Sequence, residues 1–132
     1  MFINGSSDTA GKVISEGGGS DAVRIVGRRR GYADISDSAA FGMVISNATR
    51  VEIMAARISG SGQDNLRIAS IGDVSLSGIV LLAGAKRYGL SLGDGVNRLS
   101  VSNDVIFRAN ERGSVYAPRK PRELRGKASL FL

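Results

Sequence analysis

The chain contains no cysteine and no histidine. Thiol nucleophiles, imidazole acid–base chemistry, disulfide stapling and the usual zinc ligand sets are therefore excluded. The lack of cysteine leaves the redox compartment open. Tryptophan is absent too, and aromatic residues make up only 5%, which argues against a Trp-lined platform for sugars. Long hydrophobic runs are also missing: the longest, Gly78 to Ala85, falls far short of the roughly 20 residues that cross a bilayer, so no membrane insertion is expected. The opening Met1-Phe-Ile-Asn-Gly-Ser lacks the basic start and apolar stretch of a signal peptide. Without such a signal, an extracellular destination would need lysis or a particle that carries the chain out.

What is present is glycine, at 18 of 132 residues, and an excess of cations giving a net charge of +6. The length suits one domain. The charge favours anionic surroundings such as acidic glycans or an acidic partner. The most informative stretch runs from Arg50 to Val115, because it repeats itself. Arg50-Val-Glu-Ile-Met-Ala-Ala-Arg-Ile58 aligns with Asp73-Val-Ser-Leu-Ser-Gly-Ile-Val-Leu81 and with Arg98-Leu-Ser-Val-Ser-Asn-Asp-Val-Ile106. Each block starts on a charge and has apolar residues one, three and eight places later. The small or polar residue at place five (Ala55, Gly78, Asn103) suits a bend. A second recurring strand separates the blocks: Gly42-Met-Val-Ile-Ser46, Asn65-Leu-Arg-Ile-Ala69, Gly89-Leu-Ser-Leu-Gly93 and Ser114-Val-Tyr-Ala117.

Val51 and Val74 lie 23 residues apart, and Val74 and Leu99 lie 25 apart. Periods of about 20–50 residues mark repeat architectures. The alternation within each block is that of strands, and no helix-period segment interrupts it. An all-β parallel coil with about two or three short strands per turn follows, adjacent turns lying about 4.8 Å apart. These blocks resemble the right-handed parallel β-helix repeat of pectate-lyase-like proteins and phage tailspikes, whose signature is apolar-x-apolar-x-Asn-x-x-apolar after a Gly-x-apolar strand. Arg98 to Ile106 after Tyr88-Gly-Leu-Ser-Leu92 matches it best, and the resemblance spans roughly Val23 to Ala117. It implies a solenoid of about four coils over 23–117, between a Gly/Ser-rich attachment segment at 1–22 and a basic tail at 118–132. It leaves the activity open, since enzymes and adhesins share the fold.

The register yields further expectations. Val23 and Ile25 match Val51 and Ile53, but the third apolar residue, Ile35, comes five places late. Five residues are thus inserted within Arg28-Arg-Arg-Gly-Tyr-Ala-Asp34, and such insertions form loops that carry function. Arg28, Arg29, Arg30 and Tyr32 are therefore the candidate contacts for an anionic glycan or partner. Lys12-Val-Ile-Ser15 resembles Met43-Val-Ile-Ser46 and reads either as the remains of an incomplete first coil or as a mobile tail. The expected inward residues are Val51, Ile53, Ile58, Leu66, Ile68, Val74, Leu76, Leu81, Leu90, Leu92, Leu99, Val101, Ile106 and Val115. Charges fall into ladders: Arg50, Asp73 and Arg98 share one place, and Arg24 and Glu52 another. Such pairs set register at about 0.2–1 kcal/mol each.

Four coils make a marginal core, because burial of each side chain at about 1.5–3 kcal/mol is offset by ordering costs of similar size. Self-association is the expected remedy. Ile79, Val80, Leu82 and Phe107 fall at outward places, either as an interface or because this turn is wider and takes some of them inside. The resemblance to tailspikes implies a side-by-side homotrimer. In the tail, two prolines oppose a further central strand. Leu130, Phe131 and Leu132 read either as the end of a solvated tail or as the anchor of a segment docked on a neighbouring subunit.

Chemistry is harder to place. Of the carboxylates on the coils, Asp64 and Asp94 could stack near one another, but both sit beside Gly or Asn, where Asp is a routine turn former. No Asn-Thr-Asp, Asp-Asp or Gly-His-Gly motif of the polygalacturonase kind occurs. No catalytic residue, metal ligand or cofactor site is assigned. Basic residues without a reading helix or stacking surface allow only nonspecific nucleic-acid contact. The expected role is a non-enzymatic structural or glycan-contacting component of a phage-type spike or fibre, joined to other virion proteins. The competing reading is a shortened carbohydrate-active enzyme of the same class, a polysaccharide lyase or glycoside hydrolase.

Overall fold

The computed structural model describes residues 2–4, 13–16, 22–26, 33–46, 50–69 and 72–132. Their strands in chain order are β1 (Phe2–Asn4), β2 (Val13–Glu16), β3 (Ala22–Val26), β4 (Ala33–Ser36), β5 (Met43–Ser46), β6 (Arg50–Ser59) and β7 (Leu66–Ala69), followed by β8 (Gly72–Ala83), β9 (Tyr88–Leu92), β10 (Val96–Val101), β11 (Val105–Arg108), β12 (Gly113–Tyr116) and β13 (Glu123–Gly126). A single 3-10 turn, Lys127–Leu130, follows.

The chain winds as a parallel β-solenoid of about four turns, with three faces per turn. Face one stacks β13, β10, β8, β6 and β3 in that order, with β2 antiparallel on β3. Face two is made by the second halves of β6 and β8, which bend round a corner, with β4 on β6 and β11 on β8. Face three stacks β1, β5, β7, β9 and β12. All these pairs except β2–β3 are parallel, as a coil of constant sense requires.

Alternation along each strand sends every second side chain inward, and register stacks like on like. Val51, Val74, Leu99 and Leu124 form one column; Met43, Leu66, Leu90 and Val115 form another. Ile35, Ile58, Leu82 and Phe107 form a third. The first three members of the first two columns, and Ile58 and Leu82 of the third, are buried. Val115, Leu124, Ile35 and Phe107, at the column ends, are partly buried against that core.

The corner leaving face two has a repeating backbone device. Asp37, Gly60, Gly84 and Ala109 stand at successive turns with φ of 56°, 67°, 66° and 53°. Each of the first three donates its N–H to the last strand residue of the next turn: Asp37 to Ser59 O, Gly60 to Ala83 O and Gly84 to Arg108 O, at 2.9–3.0 Å. The left-handed conformation there turns the chain sharply, and only glycine adopts it without cost.

The expected register holds through β3, β4, β6 and the first half of β8. Val23 pairs with Val51, Ile25 with Ile53 and Ile35 with Ile58. Between Val26 and Ala33 the chain spends five residues more than between their partners Met54 and Ala56. The inserted segment is therefore where the spacing put it, although Arg28, Arg29, Arg30 and Tyr32 lie outside the described residues.

Three expectations are corrected. Val80 and Leu82 point inward and are fully buried, whereas Leu81 is half-buried on the outer side and Ile106 is exposed. The cause is one extra residue in β8: Met54 pairs with Ser77 but Ala56 with Val80, a bulge at Gly78, whose φ is 69°. Leu81 therefore stacks on Arg57, and Leu82 on Ile58. At the start of the chain, the strand beside β5 is Phe2–Asn4, and Val13–Glu16 instead runs antiparallel on β3. At the far end the ladder continues past Ala117: Arg98, Leu99, Ser100 and Val101 pair with Glu123, Leu124, Arg125 and Gly126. The two prolines precede this strand and lie in the connection leading to it, so neither interrupts its ladder.

Candidate functional site: a ladder of alternating charge

The outward side chains of face one form a polar surface stacked from coil to coil. β-Strand alternation turns Arg50 and Glu52, Asp73 and Ser75, Arg98 and Ser100, and Glu123 and Arg125 away from the core. The parallel register then stacks Arg50, Asp73, Arg98 and Glu123 in one line. Arg98 is the centre: its Nε donates to Glu123 Oε2 at 2.7 Å, and its Nη1 donates to Asp73 Oδ2 at 3.4 Å. Arg125 Nη2 lies 2.6 Å from Glu123 Oε1, and Arg50 Nε lies 3.9 Å from Glu52 Oε1. A shallow groove runs over these rungs.

The hydrogen bond from Arg98, then that from Arg125, holds the Glu123 carboxyl below its usual 4.5. The same hydrogen bond and the charges of Glu123 and Asp73 raise Arg98 further above an already high value. The ladder pairs charges and sets register, with Asp73 and Glu123 each set against Arg98 across a strand.

The other carboxylates named from the sequence do not converge. Asp64 is fully buried; its Oδ1 accepts the backbone N–H of Tyr88 at 2.9 Å and lies 3.8 Å from Arg87 Nε. It precedes β7, while Asp94 is exposed and follows β9, so the two flank opposite ends of face three. A strand of four or five residues separates such ends by about 15 Å, too far for a catalytic pair. Among the described residues no group of three His, Cys, Asp or Glu side chains is placed to hold a metal ion.

Of the residues assigned to an interface, Ile79 is 55% exposed and Leu130 75%. Phe107 is partly buried and meets Phe131 edge-on, ring centroids 4.9 Å apart. Leu132 packs on the core of its own chain. The terminal residues thus cover the end of their own column, beside Ala128, which is fully buried.

Four features escaped the sequence reading. Glu123 is the fourth rung, and its signal was the repeat distance of 25 from Arg98. Asn65 and Asn110 brace the corner: Asn65 Nδ2 donates to Ala83 O and Asn110 Oδ1, and Asn110 Nδ2 donates to Leu82 O. Tyr88 and Tyr116 stack with centroids 5.1 Å apart, and the Arg67 guanidinium lies 5.6 Å from the centre of the Phe41 ring. The last three depend on which turns lie adjacent, so nothing local in the sequence marks them.

Comparison of the chain with protein families, with curated proteins and with solved structures finds no match in any of the three. The fold is therefore read from its own register.

Proposed function

We propose that this chain is a non-enzymatic, rigid component of a phage-type spike or fibre, which presents a β-solenoid surface to other virion proteins or to an anionic glycan. The observation that carries the reading is the coil-on-coil stacking of face one, in which Asp73 and Glu123 are both committed to ion pairs with Arg98 between turns. Such a surface is built for stiffness and for contact. The net charge of +6 favours acidic polysaccharide as the ligand, and the inserted Arg28–Tyr32 segment is the proposed contact. Association with further copies completes the assembly, side by side as a trimer or otherwise.

The test pairs binding with turnover on polygalacturonate. The wild-type chain should be retained by the immobilised polymer at low salt, and the combined Arg28→Ala, Arg29→Ala and Arg30→Ala variant should lose most of that retention. The polymer should keep its length. Shortening of the polymer by the wild-type chain would instead establish the carbohydrate-active enzyme. Equal retention of both proteins would remove the loop from the proposal.

A further inference from the structure

The two ends of face one are finished differently. At one end the outermost strand, β2, runs antiparallel on β3. At the other, β13 is the outermost strand, with β10 on one side and no strand on the other among the described residues. An edge strand offers unpaired backbone donors and acceptors to any chain of matching pattern. β13 carries Glu123 and Arg125 outward and Leu124 toward the core.

We propose that two copies of this chain join end to end through β13, antiparallel and edge to edge, about a twofold axis at Leu124. The inference rests on the structural reading above and gives its self-association a specific surface. Antiparallel pairing centred on Leu124 sets Glu123 opposite Arg125 of the second copy, Arg125 opposite that copy's Glu123, and leucine opposite leucine. The strand is thus complementary to itself under twofold symmetry, the commonest arrangement of homo-oligomers. Parallel pairing of two β13 strands in register would instead set like charges opposite one another, which is destabilising.

Two observations support the antiparallel form. Signs along the outer ladder alternate from Arg50 through Asp73 and Arg98 to Glu123, and Arg125 of the second copy continues the alternation. The same sheet already accepts an antiparallel strand at its other edge. Leu130, the most exposed large apolar residue described, stands at 75% on the turn that follows β13, at the end that pairing would cover.

Sedimentation of the full chain over roughly 1–100 µM, where a modest interface reveals its equilibrium, should show monomer passing to dimer. Arg125→Glu and Glu123→Lys should each weaken the dimer at least about tenfold, and an equimolar mixture of the two should regain it. In the wild-type protein, hydrogen exchange at the amides of 123–126 should slow as the dimer fills. A wild-type monomer throughout the range overturns the proposal, as does a trimer, a dimer unaffected by both variants, or protection confined to face two around Ile79 and Ile106. None of these results touches polysaccharide retention, so the functional reading and this contact fail separately.

Discussion

Residues at equivalent rungs need not be equally suited to them. Asp37, Gly60, Gly84 and Ala109 share one backbone conformation, but an L-residue there costs about 1–2 kcal/mol. Ala109→Gly removes that cost and loses about 0.4–1 kcal/mol through the freer unfolded chain. The expected result is a stability equal to wild type or higher by up to about 1.6 kcal/mol, read as an unchanged or raised urea midpoint. Gly84→Ala has open space, its nearest non-neighbouring atom lying 3.6 Å from the new Cβ, so it should lose only the conformational cost, about 1 kcal/mol. Gly60→Ala should lose a similar amount, because the close contact of its Cβ, 2.5 Å from Asp37 Oδ1, is with a side-chain tip that can swing aside. Glycine is therefore the better residue at Gly60, Gly84 and Ala109 alike.

At the scale of strands, Glu123 gives face one a dependence on pH. Its folded value is depressed by hydrogen bonds from Arg98 and Arg125. The stability it contributes is therefore present above the ordinary glutamate value of 4.5 and is lost as pH falls from there through the depressed one. Urea midpoints measured from about pH 6 down to about pH 3 should fall less steeply in Glu123→Gln than in wild type. Added salt should narrow the difference, since these side chains are solvent-facing. Strands also show what the sequence made legible. Val51, Val74 and Leu99, or Arg50, Asp73 and Arg98, declare their stacking because polar and apolar residues alternate around them. In Ile79-Val-Leu-Leu82 and in Ile106-Phe107 every place is apolar, so alternation carries no phase there. The bulge at Gly78 then decides which residues enter the core. Glu123 continued a ladder already visible at Arg98, but the prolines before it masked the strand.

For the whole molecule, the last fifteen residues matter as a lid. Leu124 and Leu132 pack against the final turn, Phe131 meets Phe107, and Ala128 is enclosed. A chain ending at Ala117 would uncover Leu99 and Val101 and leave Phe107 without Phe131. The loss should be about 2 kcal/mol or more, seen as a Tm lower by roughly 6–12 °C. Light scattering should rise as well, because β10 becomes an unprotected edge. An unchanged Tm would mean that the terminal segment does not close the column.

The paired rings of Tyr88 and Tyr116 come from adjacent turns and stand 5.1 Å apart with their planes 24° from parallel. In a chain with no tryptophan, such a stacked pair contributes coupled ring transitions to the near-ultraviolet optical activity. That contribution reports the junction of two late coils, so fraying that reaches them can be followed by spectroscopy without adding a label.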